Sequence, residues 1–183
     1  MICVEIDELT HCLKKIGSDD EFSTEVKKIS SKAILSRFTE KTQWYENWVN
    51  LSKENEIYGL FVQGSDEVEG LVAIDPRRNR DALYVTWMVA APHNNVEICG
   101  RGNQKYVGVG GHLFAIAIRK SVQYGYGGAI YGFAKDAEKL AHYEKWFGAE
   151  YIGMLHEFHF LIADSSAVNV VEDYSYDETG EEL

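Results

Sequence analysis

Cysteine is scarce in these 183 residues. Cys3, Cys12 and Cys99 show no paired spacing, which argues against a disulfide framework and favours a reduced, cytoplasmic setting. Long apolar runs are lacking too, so no segment is predicted to span a bilayer and no membrane partner is expected. The first residues carry acids where a secretory signal would carry bases. Bases are the minority throughout, with 18 Lys and Arg against 29 Asp and Glu and a formal net charge of -11. Six of the acids (Glu172, Asp173, Asp177, Glu178, Glu181 and Glu182) fall in the last twelve residues, and without them 23 acids face 18 bases. Phosphate contacts need clustered Lys and Arg, so nucleic acid is not an expected partner, whereas a cationic amine is electrostatically compatible. Metal-ligand spacing is also missing. His156 and His159 stand three apart in a predicted strand, where they face opposite ways, and no metal is predicted.

What is present suits one folded domain. The chain is 45% hydrophobic and 13% aromatic, and its length can bury a core without staples. A single domain is predicted over residues 1–174, followed by an acidic tail at 175–183 expected to be disordered. Ile2, Val4 and Ile6 alternate with Cys3, Glu5 and Asp7, the period of a half-buried strand. Leu9, Cys12, Leu13 and Ile16 predict a helix, Phe22, Val26, Ile29 and Ala33 a second, and Phe38, Trp44, Trp48 and Leu51 a third. Strands are predicted over 57–62, 68–74 and 83–90, joined by turn residues into an antiparallel meander. Residues 92–104 read as an irregular connection. A helix to about Tyr124, a strand over 129–134, a helix over 136–147 and one or two strands over 150–163 complete the order.

The densest signal lies between Lys105 and Leu113. Gly108, Gly110 and Gly111 run directly into a breaker-free apolar segment that begins at Leu113. A glycine turn opening a helix leaves several backbone N–H groups pointing one way, and the helix dipole adds positive charge, so a phosphate is the natural occupant. A Walker loop is excluded because Gly111-His112 stands where Lys-Ser/Thr would be needed. The dinucleotide fingerprint is excluded because Leu113 occupies its third glycine position.

Lys105, Gly108, Gly110 and Leu113 fit the pattern Arg/Gln-x-x-Gly-x-Gly/Ala-x-x-Leu, which resembles the pyrophosphate loop of the GNAT superfamily of acyl-CoA-dependent N-acyltransferases. A second segment is similar to the family's Asn-x-x-Ala-x-x-Leu-Tyr-x-x-x-Gly-Phe helix. Tyr143 falls on its tyrosine, Asp136 replaces the Asn, Lys139 replaces the Ala, and Trp146, Phe147 and Gly148 stand at its end. The resemblance covers roughly residues 57–163. It implies an α/β (α+β) GNAT fold: a central mixed, mostly antiparallel twisted sheet of about seven strands flanked by helices, with a cleft where the fourth and fifth strands splay apart.

That resemblance implies acetyl-CoA, or another acyl-CoA, as co-substrate and direct attack by a primary amine through a tetrahedral intermediate. It assigns the pantetheine arm to the backbone of Met88, Val89 and Ala90. The pyrophosphate falls to Lys105, Val107, Gly108, Val109, Gly110, Gly111 and His112, and Arg101 is a further candidate for the phosphates. Tyr143 takes the place of the general acid that protonates the leaving thiolate. An alkylamine is almost wholly protonated at neutral pH, and deprotonating it costs roughly 4–5 kcal/mol at 1.36 kcal/mol per unit. A base is therefore needed: His93, just past the fourth strand, is the first candidate and Glu97 the second. The acceptor is a small amine or a protein or peptide amine, and a homodimer is compatible with the pattern. The competing expectation is a catalytically silent GNAT-fold protein that binds acyl-CoA or a partner; a nucleotide-binding protein unrelated to CoA is a third.

Overall fold

The computed structural model describes residues 1–153 and 156–183. Its strands are β1 (Leu13–Lys15), β2 (Glu21–Phe22), β3 (Thr24–Lys28), β4 (Glu56–Val62), β5 (Val68–Asp75), β6 (Leu83–Ala90), β7 (Tyr106–Val107), β8 (Ile130–Phe133), β9 (Glu150–Tyr151), β10 (His159–Ile162) and β11 (Asp177–Glu182). The helices are α1 (Lys32–Leu35), α2 (Trp48–Leu51), α3 (Val96–Cys99), α4 (Val109–Gln123), α5 (Ala137–Phe147) and α6 (Asp164–Asp173). Eight strands form one sheet in the order β11-β3-β4-β5-β6-β8-β10-β9, and β2-β1-β7 form a second, small one. The large sheet is antiparallel except where β11 meets β3 and β6 meets β8. No helix among the described residues is long and apolar enough to cross a membrane.

The meander β4-β5-β6 forms as its turn chemistry predicts. One face of the sheet carries α4 and α5. Leu113, Phe114, Ile116 and Ile118 of α4 are essentially inaccessible, and each such side chain contributes about 1.5–3 kcal/mol of burial. The other face is covered by a separate cluster built from Leu35, Phe38, Trp44 and Trp48 with Phe61 and Leu71 beneath.

The first third of the chain departs from the periodicity. The helix expected from Leu9 to Ile16 is instead a turn and β1: Leu9 is exposed and Leu13 buried, so the supposed stripe has no common face. The helix expected around Val26 and Ile29 is β2 and β3. There Val26 packs into the core while Glu25 and Lys27 pair on the opposite side at 3.1 Å. The third expected helix breaks into a 3-10 turn at Glu40–Thr42 and the single turn α2, because Gln43 and Tyr45 take positive φ of 65° and 62°. The strand expected at the N-terminus is an extended segment with isolated bridges only.

The acidic tail, expected to be disordered, forms β11 in parallel with β3. Its acids find counter-charges that the fold supplies: Lys27 reaches Glu181 at 3.0 Å, and Lys120 pairs with Glu178. The strands expected over 150–163 are β9 and β10, an antiparallel pair; residues 154 and 155 of that stretch lie outside the described residues.

Candidate functional site

The glycine turn is where the sequence places it. Gly108 caps α4 with φ +92°, a conformation that glycine adopts without steric cost. The His112 N–H makes a bond to the Gly108 carbonyl at 3.1 Å, so the amides of Val109, Gly110 and Gly111 come before it at the positive end of a 15-residue helix. The Gly108 N–H itself donates to Oδ1 of Asp7 at 2.8 Å. Burial pushes the Asp7 carboxyl up in pKa, although this backbone bond opposes the shift. An anion thus already sits on the turn, and it comes from the chain's own N-terminus.

The cleft beside the turn is filled in the same way. β6 and β8 pair only from Leu83 with Ile130 to Val85 with Gly132. Farther along, Ile2 lies between them and bridges both Met88 and Ala134 in parallel. Its N–H donates to Phe133 O at 2.8 Å, and its carbonyl accepts from Lys135 N–H at 3.1 Å. On the other side the Cys3 N–H donates to Met88 O at 3.0 Å and the Met88 N–H to Met1 O at 3.1 Å. The terminal amine donates to Thr86 O, and burial lowers its pKa to about 6. Glu5 is clamped by Lys139 at 3.0 Å and Arg101 at 2.6 Å. A void of only about 20 Å³ is left between this segment, the turn and residues 90–97, room for one water.

The expected site residues therefore divide. Met88 presents its backbone to the cleft, Ala90 borders the residual void, and Val89 pairs with Leu71 of β5. Tyr143 is fully buried, and its hydroxyl donates to Val4 O at 2.8 Å. Burial pushes that phenol well above its usual pKa, which keeps it a proton donor.

Three residues assigned to the phosphate loop face other partners in this structure. The His112 ring is buried against Tyr174, with Nδ1 2.7 Å from Gly108 O, so neither ring nor amide faces the turn's mouth. The Lys105 ammonium points to Glu67 and Glu69 instead, and these acids raise its pKa against the effect of burial. Val107 is taken up in β7 opposite Lys14. The two candidate bases are not brought together either. Glu97 faces the filled cleft, bonded to Tyr45 and Lys135; burial opposes its ionisation, but these partners outweigh it and lower its pKa. His93 faces the other way.

On that far side of residues 91–95 lies an open cavity of about 640 Å³. Phe38, Trp44 and Phe61 supply aromatic walls, and Arg37, Asp66, Glu67 and His93 supply its polar lining. His93 Nε2 lies 2.6 Å from Oε2 of Glu69, a carboxylate with no solvent exposure. Asn94 donates to the same oxygen at 2.7 Å, and Lys105 lies 3.3 Å from the other. Glu69 was not singled out from the sequence, yet the signal was there: one acid inside the apolar run Val68, Gly70, Leu71, Val72. Glu67, Glu69 and His93 bring ligand-type atoms within 4.8 Å of one another, but the Lys105 ammonium already sits among the carboxylates.

Solved structures share this architecture. A putative acetyltransferase of the GNAT family from Desulfovibrio desulfuricans matches with a TM-score of 0.50 at 15% identity, over 76% of this chain and 96% of its own. AtaTR bound with AcCoA matches at 0.53 and 14%, over 81% and 98%. A mutant of the AtaT toxin, bound to the C-terminus of the antitoxin AtaR, matches at 0.51 and 13%, over 80% and 95%. No family model matches the sequence, nor does any curated protein. The class is thus defined by architecture: a mixed sheet that splays between two parallel strands beside a glycine turn. The chain has the GNAT fold, the fold of the acyl-CoA-dependent N-acyltransferases.

Proposed function

We propose that this chain is an acyl-CoA-dependent N-acyltransferase whose acceptor is a cationic amine. The observation that carries this is the glycine turn at the head of α4, where the Gly108 amide holds a carboxylate as a stand-in for a phosphate. The cleft walls fit an extended arm with an anionic end: β6 offers the N–H and C=O of Met88, and the turn offers its amides. Acyl-CoA, when bound, supplies the activated acyl group. The AcCoA named for AtaTR is consistent with that assignment.

The rest falls to the chain's own side chains. The aromatic walls and the carboxylates of Asp66 and Glu67 suit an ammonium-bearing acceptor in the open cavity, against the opposing charge of Arg37 in the same lining. His93 is the base. With its Nε2–H donated to Glu69, Nδ1 carries the free lone pair, and the buried carboxylate stabilises the imidazolium formed when the acceptor loses its proton. Tyr143 is the proton donor to the departing thiolate once its hydroxyl is free of Val4. A thiol-release assay over a panel of amines tests the proposal, with His93→Ala and Tyr143→Phe as controls. Turnover of an amine that both variants abolish supports it, and binding of acetyl-CoA without turnover of any amine refutes it. A second reading, a catalytically silent GNAT-fold protein, is favoured by one observation: the chain itself fills the cleft.

A further inference from the structure

We propose that residues 1–7 are an internal pseudo-ligand of the acyl-CoA cleft, an autoinhibitory strap that must leave before the cofactor binds. This rests on the acyltransferase assignment above. One short segment engages three elements that the family resemblance assigns to the cofactor or to its leaving group: the β6 backbone, Tyr143 and the glycine turn. Met1 and Cys3 take the Met88 amide and carbonyl, Val4 takes the Tyr143 hydroxyl, and Asp7 takes the Gly108 amide. The imitation extends along the whole length: an extended backbone runs between β6 and β8, and its anion ends at the glycine turn.

The fit is close at Gly110, where a Cβ would lie 2.0 Å from the Glu5 carbonyl oxygen. Glu5 also holds both nearby cations, Arg101 and Lys139, so the seated strap cancels the positive charge that would draw a phosphate. The strap is not part of any regular strand. Ile2, Val4 and Ile6 are buried in the main core, however, so its release exposes their side chains and the bound cofactor has to offset that cost. A ligand that needs a minor, open state binds more weakly by the fraction of time that state is populated.

The test uses the full chain. Calorimetry with CoA compares the unaltered protein with the Glu5→Ala/Asp7→Ala variant, and amide exchange follows residues 2–7 with and without CoA. We expect the variant to bind at least about tenfold more tightly, and CoA to accelerate exchange at Ile2 and Cys3 of the unaltered chain. Those two amides bond to Phe133 and Met88 and not to the removed side chains, so a purely electrostatic gain leaves them protected and overturns the strap. Equal affinity with unchanged exchange also overturns it while the acyltransferase assignment stands. Absence of CoA binding in both folded proteins removes the acyltransferase assignment and the strap together. Exchange on the unaltered chain decides the matter even where the variant does not fold.

Discussion

The two cavities on either side of residues 91–95 are opposites. One is open, about 640 Å³, walled by aromatics and edged by Asp66, Glu67 and Arg37. The other is reduced to about 20 Å³ because the chain's first residues have been laid into it. Both use the same short turn: His93 faces the open side, while Asn94 and Asn95 border the closed one. In this state the side proposed for a cationic acceptor is open, and the side proposed for acyl-CoA is closed. On the proposed function, control of the reaction would belong to the donor side.

The largest expected effect is on the open side. His93→Ala is expected to lower kcat by about 10²–10⁴-fold, the usual range for a lost general base, read in a thiol-release assay on a strap-released chain. Glu69→Gln should lower kcat less and shift the pH–rate profile, since it acts through His93. Survival of full activity in His93→Ala would remove the functional meaning of the contrast. Next comes Gly110→Ala on the closed side. Its methyl group cannot coexist with the Glu5 carbonyl, so an overpacking loss of about 1–3 kcal/mol is expected in denaturant unfolding. Asp66→Ala, at the open cavity, should stay within about 0.5 kcal/mol. Equal tolerance at both positions would break the comparison.

Smaller effects sharpen it. Glu67→Gln should raise KM for a cationic amine by up to about tenfold with kcat little changed, the sign of lost uniform binding; an equal loss for a neutral acceptor would point to structure instead. Acidification should loosen the Glu5 clamp on the strap. Burial works against an ionised Glu5, but the hydrogen bonds and charges of Arg101 and Lys139 outweigh it and hold its pKa below the ordinary carboxylate value. A depressed folded pKa gives stability that is present above the unfolded value and lost as pH falls through the folded one. The amides next to Glu5, corrected for intrinsic exchange, should therefore open up to about fivefold more readily near pH 4 than at pH 7. The raised pKa of Asp7 has the opposite sign and keeps its end of the strap seated.

Legibility divides along the chain. The meander, the glycine turn, α4 and α5 could be read directly, because each is bounded by turn or cap residues and patterned at one clear period. Asp136, for example, caps α5 by accepting from the Lys139 N–H. The first third could not. Phe22, Val26 and Ile29 match helical spacing, but pairing of β3 with β4 and β11 decides otherwise. Ile2, Val4 and Ile6 do mark an extended backbone. Its seat, however, lies more than eighty residues away in β6 and β8, and local patterning carries no such information. The tail misled for a related reason: its charges read as solvated until Lys27 and Lys120 are folded against them. Of the candidate site, the sequence marks the positions of β6 and the glycine turn but only half of the Glu69–His93 pair, since His93 stands out in a loop while Glu69 is hidden in a strand.

β11 also sets the outer border of the sheet. Its six residues are all exposed, and Asp177, Glu178, Glu181 and Glu182 give that border four carboxylates. A second copy adding itself there would set acid against acid along the ladder, with backbone N–H and C=O groups as the only attraction. At the far border β9 has two residues, too few to template another chain. Both rims of the sheet thus discourage growth by strand addition, and the molecule keeps its long β-surface without inviting fibrils.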